Sequence, residues 1–246
     1  MRDALWDQWV ADWEWVLTCM RAKGPPVVVE PLRIDPPISR ERLDEIVRYV
    51  GPLPEDYIDV VTTRSARVSF HWRLFDDDDE IEPPIEIFRP PIPRGRQRTS
   101  FGAIPPPWGG RHMANDTALW DAHDLPRLKD EYDNWLEVCW RPTLEEFPGD
   151  PYALEWLDKR PFLDASHGDF LSWDATGHVV YLCHDDGCTI HGQRIAPSFT
   201  DLVTWWSRVG CVGPEGDGFE AFVEEGGCDS RTDVVNEWRA WVESAP

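Results

Sequence analysis

Residues 162–182 read FLDASHGDFLSWDATGHVVYL, and this stretch decides the fold class. Phe162 to Asp164, Asp169 to Trp173 and His178 to Leu182 are short runs rich in aromatic and aliphatic residues, each of strand length. Asp174-Ala175-Thr176-Gly177 separates the last two, and Asp185-Asp186-Gly187 follows. Both are turn signals, because Asp bonds its own backbone and Gly tolerates positive φ. A fourth strand is expected over Cys188 to His191. Strands so short and so close pair as hairpins, since parallel pairing needs a long crossover. The spacing therefore predicts α+β rather than a doubly wound α/β sheet.

Working outward, Ala66, Val68, Phe70, Trp72 and Leu74 alternate with Arg67, Ser69, His71 and Arg73, which predicts one half-buried strand over 66–74. Ile81 to Phe88 is expected to pair back, and a short strand is expected around Ser100 to Ile104 in a Pro- and Arg-rich connection. Helices are expected over 3–22, over Arg40 to Tyr49 behind the N-cap Ser39, and from Leu53-Pro54 onward. Others are expected over Leu125 to Trp140, from Pro197, over Glu215 to Glu225 and over Thr232 to Glu243. Leu5, Trp6, Trp9, Val10, Trp13, Val16, Leu17 and Met20 give the first helix a wide apolar stripe that needs a packing partner.

Composition narrows the function classes. The 246 residues hold 46 acids and 24 bases, a formal charge of −22. A phosphate grip needs a basic surface, so direct nucleic-acid binding is not expected. No run of about 18 apolar residues occurs, so no membrane span is expected. The first residues carry Asp3, Asp7, Asp12 and Glu14 among the apolar ones, unlike a secretory signal. The six cysteines are then expected to be reduced thiols in a cytoplasmic protein. Only Lys23, Lys129 and Lys159 are Lys, while Pro numbers 23 and Trp 15, which suggests a GC-rich bacterial genome.

Four segments together resemble the SUKH superfamily, which includes the fungal Smi/Knr regulators. Leu43-Asp44-Glu45-Ile46 with Gly51-Pro52-Leu53-Pro54-Glu55-Asp56-Tyr57-Ile58 resembles its opening helices. Phe162-Leu163-Asp164-Ala165 with Gly168-Asp169-Phe170-Leu171-Ser172-Trp173-Asp174 resembles its Gly-Asp strand segment. Gly177-His178-Val179-Val180-Tyr181 with His184-Asp185 resembles the next hairpin, and Ile195-Ala196-Pro197-Ser198-Phe199-Thr200-Asp201-Leu202 the closing helix. Thr62-Thr63-Arg64-Ser65 stands where the family commonly has Asn-Gly. The resemblance implies a SUKH-like domain over 39–210, with a mixed, mainly antiparallel sheet packed by helices, flanked by a Trp-rich helical extension over 1–38 and a helical extension over 211–246. It also implies a non-catalytic, protein-binding immunity protein. Such a protein neutralises a cognate bacterial toxin, often a nuclease, by occluding its active site. The alternative is a regulatory scaffold that binds a cellular protein without inhibiting a toxin.

The acidic run Asp76, Asp77, Asp78, Asp79 and Glu80 is the candidate partner-binding site, because clustered carboxylates suit the basic cleft of a nuclease. Its plainer reading is a solvated turn. Cys183, His184, Asp185, Cys188 and His191 have ligand chemistry but match no zinc signature, and strand alternation is expected to separate Cys183 from His184. Buried Cys and exposed His are therefore expected, with no metal and no cofactor. Ser166, His167 and Asp169 lie too close in sequence to assemble a hydrolytic triad. No enzyme activity is expected. Thr63, Arg64 and Arg94 to Arg98 are read either as an anion site or as partners of the acidic loop.

Overall fold

A computed structural model describes residues 3–24, 27–73, 114–115, 118–165, 168–184, 188–213, 219, 222–223, 227–228 and 232–244. The meander forms as its spacing predicts. Strands β7 (Arg160–Asp164), β8 (Phe170–Trp173), β9 (Val179–Leu182) and β10 (Arg194–Ala196) make one sheet in the order β10-β9-β8-β7, antiparallel throughout. Every residue of β8 and β9 is buried. The sheet is thus covered on both faces, which is why these strands read as apolar runs without alternation. The fourth strand falls at Arg194–Ala196 and not at Cys188 to His191. The reason is the His191 side chain. Its Nδ1 accepts the Cys183 backbone N–H at 3.0 Å, and its Nε2 lies 3.1 Å from the Tyr152 carbonyl. Gly192, at φ +70°, then turns the chain so that its N–H reaches the Tyr181 carbonyl at 2.8 Å.

Asp174 holds the β8–β9 turn. Its Oδ1 accepts from the Thr176 N–H (2.8 Å), the Thr176 hydroxyl (2.7 Å) and the His178 N–H (3.1 Å), and its Oδ2 accepts from Arg194 Nε (2.9 Å). Burial pushes the carboxyl pKa up, but the Thr176 and His178 donors and the Arg194 charge outweigh it, so Asp174 titrates below the usual carboxylate value. A depressed folded-state pKa gives stability that is present above the unfolded value of about 4 and is lost as pH falls through the folded value. Asp174→Ala is expected to cost about 1.5–3 kcal/mol at pH 7, the range for hydrogen bonds to a charged group. Urea midpoints of wild type and variant should converge as the pH drops below about 4. A gap that stays constant down to pH 2 would show that the charge contributes nothing.

Helix α2 (Arg40–Val50) starts at Ser39, whose Oγ accepts the Arg42 N–H at 3.2 Å, and it ends at Gly51 with φ +91°. Helix α3 (Glu55–Thr63) begins after Pro54. Helix α7 (Phe199–Arg208) starts two residues beyond Pro197, because Ser198 caps it through the Asp201 N–H at 3.0 Å. Asp56 of α3 also accepts the Thr200 N–H at 2.8 Å, which ties the two helix starts together. Tyr57 then meets Trp173 at 4.8 Å and Phe199 at 4.8 Å, while Phe162 stacks on Trp173 at 4.4 Å. The helix start, the first two meander strands and the closing helix therefore share one aromatic core.

The expected strand over 66–74 divides into β3 (Arg67–Ser69) and β4 (Trp72–Arg73). β3 joins β2 (Arg33–Ile34) and β6 (Ala118–Asp121), whereas β4 joins β1 (Val28–Val29) and β5 (Ala114–Asn115), and all these pairings are antiparallel. The break lies at Phe70, whose carbonyl accepts the Asn115 side-chain amide at 2.7 Å instead of a strand partner. Ser69, expected to face outward, is buried. The architecture is α+β: helices around three small antiparallel sheets. Helix α1 (Asp3–Lys23) packs on α7 and on α8 (Thr232–Glu243). No helix among the described residues is long and apolar enough to cross a membrane.

Candidate functional site

Two features offer chemistry or contact. The first is a run of consecutive helical pieces with exposed apolar side chains. Leu125 to Trp140 forms a helix as expected, but not a uniform one. It runs as α4 (Leu125–Trp135), then a wide π turn over Leu136–Trp140, then α5 (Arg141–Glu146). Pro142 explains the wide turn. A proline inside a helix has no N–H to donate, and its ring crowds the carbonyl four residues back, here that of Val138. After a turn, α6 (Pro151–Glu155) is capped by Asp150, whose side chain accepts the Ala153 N–H at 2.8 Å.

This segment holds three of the six exposed large apolar side chains among the described residues: Val138 (65 % exposed), Phe147 (57 %) and Leu154 (43 %). Over residues 136–155 five acids, Glu137, Glu145, Glu146, Asp150 and Glu155, accompany them against one base, Arg141, which pairs with Glu137 at 2.6 Å. Within the same segment Trp140 stacks on the buried Trp156 at 5.1 Å, which anchors the π turn to the core. Exposed apolar side chains in an acid-rich segment have the composition of a protein interface. The amino-acid pattern marks the helix here but not which of its residues stay uncovered.

The second feature is a buried polar cluster where the β7–β8 connection meets the end of β9. Gly168, at φ +98°, passes beneath the Trp135 ring, where a side chain would strike the indole. Asp169 follows. Its Oδ1 accepts the His184 backbone N–H at 2.8 Å and lies 2.7 Å from His184 Nδ1, and its Oδ2 accepts the Tyr181 hydroxyl at 3.0 Å. Burial first, then the Asp169 charge, raises the Tyr181 pKa, so the phenol stays a donor. The ligating atoms of Asp169, Cys183 and His184 all lie within 4.8 Å of one another. The expected separation of Cys183 from His184 is therefore wrong. β9 ends at Leu182, so the two residues leave the strand and its alternation no longer parts them.

The structure treats the remaining sequence candidates differently. Asp76, Asp77, Asp78, Asp79 and Glu80 lie outside the described residues, as do Ser166, His167, Asp185 and Arg94 to Arg98. The expected strands over Ile81 to Phe88 and Ser100 to Ile104 lie there too, with most of the expected helix over Glu215 to Glu225. Arg64 pairs with Asp3 at the start of α1. His191 accepts at Nδ1, so its Nε2 carries the proton and donates to the Tyr152 carbonyl. Burial lowers its pKa, which keeps the ring in this neutral form. With both nitrogens engaged, and its ring 3.6 Å from that of Tyr152, His191 is a structural residue. No family model, no curated protein and no solved structure matches the chain.

Proposed function

We propose that this chain is a non-catalytic binding protein of the SUKH immunity type, which neutralises a basic toxin, such as a nuclease, by covering its active site. The observation that carries this reading is the exposure of Val138, Phe147 and Leu154 within one run of chain that also holds Glu137, Glu145, Glu146, Asp150 and Glu155. Exposed apolar side chains supply the desolvated centre of a contact. The surrounding acids of the segment speed encounter with a cationic partner and reject anionic ones. A toxin turns over many substrates, so occlusion requires slow dissociation, and dissociation depends on the buried apolar centre. The meeting of Tyr57, Phe162, Trp173 and Phe199 supports the family reading, because each comes from a segment that carries the resemblance.

The test is affinity capture from the native host's lysate, with mass spectrometry of proteins retained at low salt and released at high salt. A basic toxin is the expected catch. The double variant Phe147→Asp/Leu154→Asp is expected to bind it at least about 30-fold more weakly, which is one lost hot spot of about 2 kcal/mol. Both side chains are exposed, so the variant should melt like wild type. Equal capture by the variant removes this face from the reading, and an abundant housekeeping partner replaces neutralisation with scaffolding.

A further inference from the structure

We propose that Asp169, Cys183 and His184 form a zinc site. The donors are one thiolate, one imidazole and one carboxylate, a set that suits zinc far better than magnesium or calcium. Zinc–ligand bonds of about 2.0–2.3 Å in a tetrahedron put neighbouring ligand atoms about 3.3–3.6 Å apart. Here the three atoms lie within 4.8 Å, so side-chain adjustments of about 1 Å close the site. Cys183 is 5 % exposed, and the Asp169 and His184 side chains are 14 % and 22 % exposed.

The surroundings fit a built site. The Tyr181 hydroxyl orients Asp169 through Oδ2, and Trp135 packs on the His184 ring at 5.4 Å. The Cys183 backbone is clamped at both ends: its N–H donates to His191 Nδ1, and its carbonyl accepts the Tyr152 hydroxyl at 2.7 Å. Such outer partners fix the ligands before the metal arrives. Binding replaces the Cys183 thiol proton, which leaves to solvent as the sulfur–zinc bond forms. Three protein donors leave the fourth position of the tetrahedron to water. The metal would pin the exit of β9 to the β7–β8 connection.

The full chain, stripped with a chelator and kept reduced, is titrated with zinc against a chromophoric competitor, and separately with cobalt. One equivalent of zinc should bind, the melting temperature should rise, and cobalt should give a thiolate charge-transfer band with tetrahedral d–d bands. Cys183→Ser, His184→Ala and Asp169→Asn should each weaken zinc binding at least about 100-fold. Tyr181→Phe keeps the ring and removes only the orienting hydroxyl, so it should fold and lose about tenfold. Cys19→Ser, on α1, should bind as wild type does. The proposal is overturned if wild type takes up no stoichiometric zinc, if the cobalt spectrum lacks the thiolate band, or if Cys183→Ser or Tyr181→Phe binds with unchanged affinity.

Discussion

Tyr57→Ala is expected to destabilise the fold by roughly 3–5 kcal/mol, the range for a large aromatic truncation in a packed core. Tyr57 is fully buried, and its ring sits edge-on to both Trp173 and Phe199. Those two partners come from the meander and from α7, so the truncation opens a void where three elements meet. Collapse into that void is resisted by the Phe162–Trp173 stack and by the bond from the Thr200 N–H to Asp56. The conservative change should go the other way. The Tyr57 hydroxyl is buried without a hydrogen-bond partner, and burial pushes its pKa far above the ordinary tyrosine value. Tyr57→Phe removes an unpaired polar group, so it should leave stability unchanged or raise it by about 1 kcal/mol. Urea denaturation followed by circular dichroism measures both. A near-zero shift for Tyr57→Ala, or a loss for Tyr57→Phe as large as that for Ala, would mean that the ring is not the keystone described here.

The parts of the fold legible in the sequence are those set by local chemistry. Ser39, Gly51 and Ser198 cap helices by rules that act within four residues. The turn at Asp174 to Gly177 is equally local, so β8 and β9 fall where the pattern puts them. The departures arise where a distant side chain decides. Asn115 takes the Phe70 carbonyl from 45 positions away and divides one expected strand between two sheets. Tyr152, far away in sequence, and Cys183, at the exit of the preceding strand, hold the His191 ring, and Cys188 to His191 forms no strand. The same limit applies to the sites. Cys183 and His184 are visible as ligand types, but Asp169 joins them only because the sheet brings the β7–β8 connection beside the end of β9. The exposure of Val138, Phe147 and Leu154 is likewise a property of the packed chain, which the amino-acid pattern does not announce.

Removal of residues 1–24 is expected to abolish cooperative folding. Residues 1–38 read as an extension to the domain over 39–210, yet Trp9, Trp13, Val16, Leu17 and Met20 of α1 are all buried. Burying one such side chain contributes about 1.5–3 kcal/mol, so five of them are comparable with the whole stability of a domain, about 5–15 kcal/mol. The helix is also fixed by direction. Trp9 Nε1 donates to the Thr204 hydroxyl at 3.0 Å and Trp13 Nε1 to the Ser207 hydroxyl at 2.8 Å, both on α7. Trp6, Trp9 and Trp13 surround Trp120 at 5.9–6.5 Å, which carries the packing into β6. Gly210, at φ +72°, leaves room for Val16, and Arg239 of α8 reaches Asp12 at 3.1 Å from the far side. Trp13→Ala should reproduce part of the loss, roughly 3–5 kcal/mol. Trp13→Phe should cost less, because it keeps most of the ring and gives up the bond to Ser207. Calorimetry of the truncated chain is the decisive measurement: a single sharp transition near the full-length midpoint would make α1 an appendage, whereas its absence makes the Trp-rich helix the element on which α7, α8 and β6 assemble.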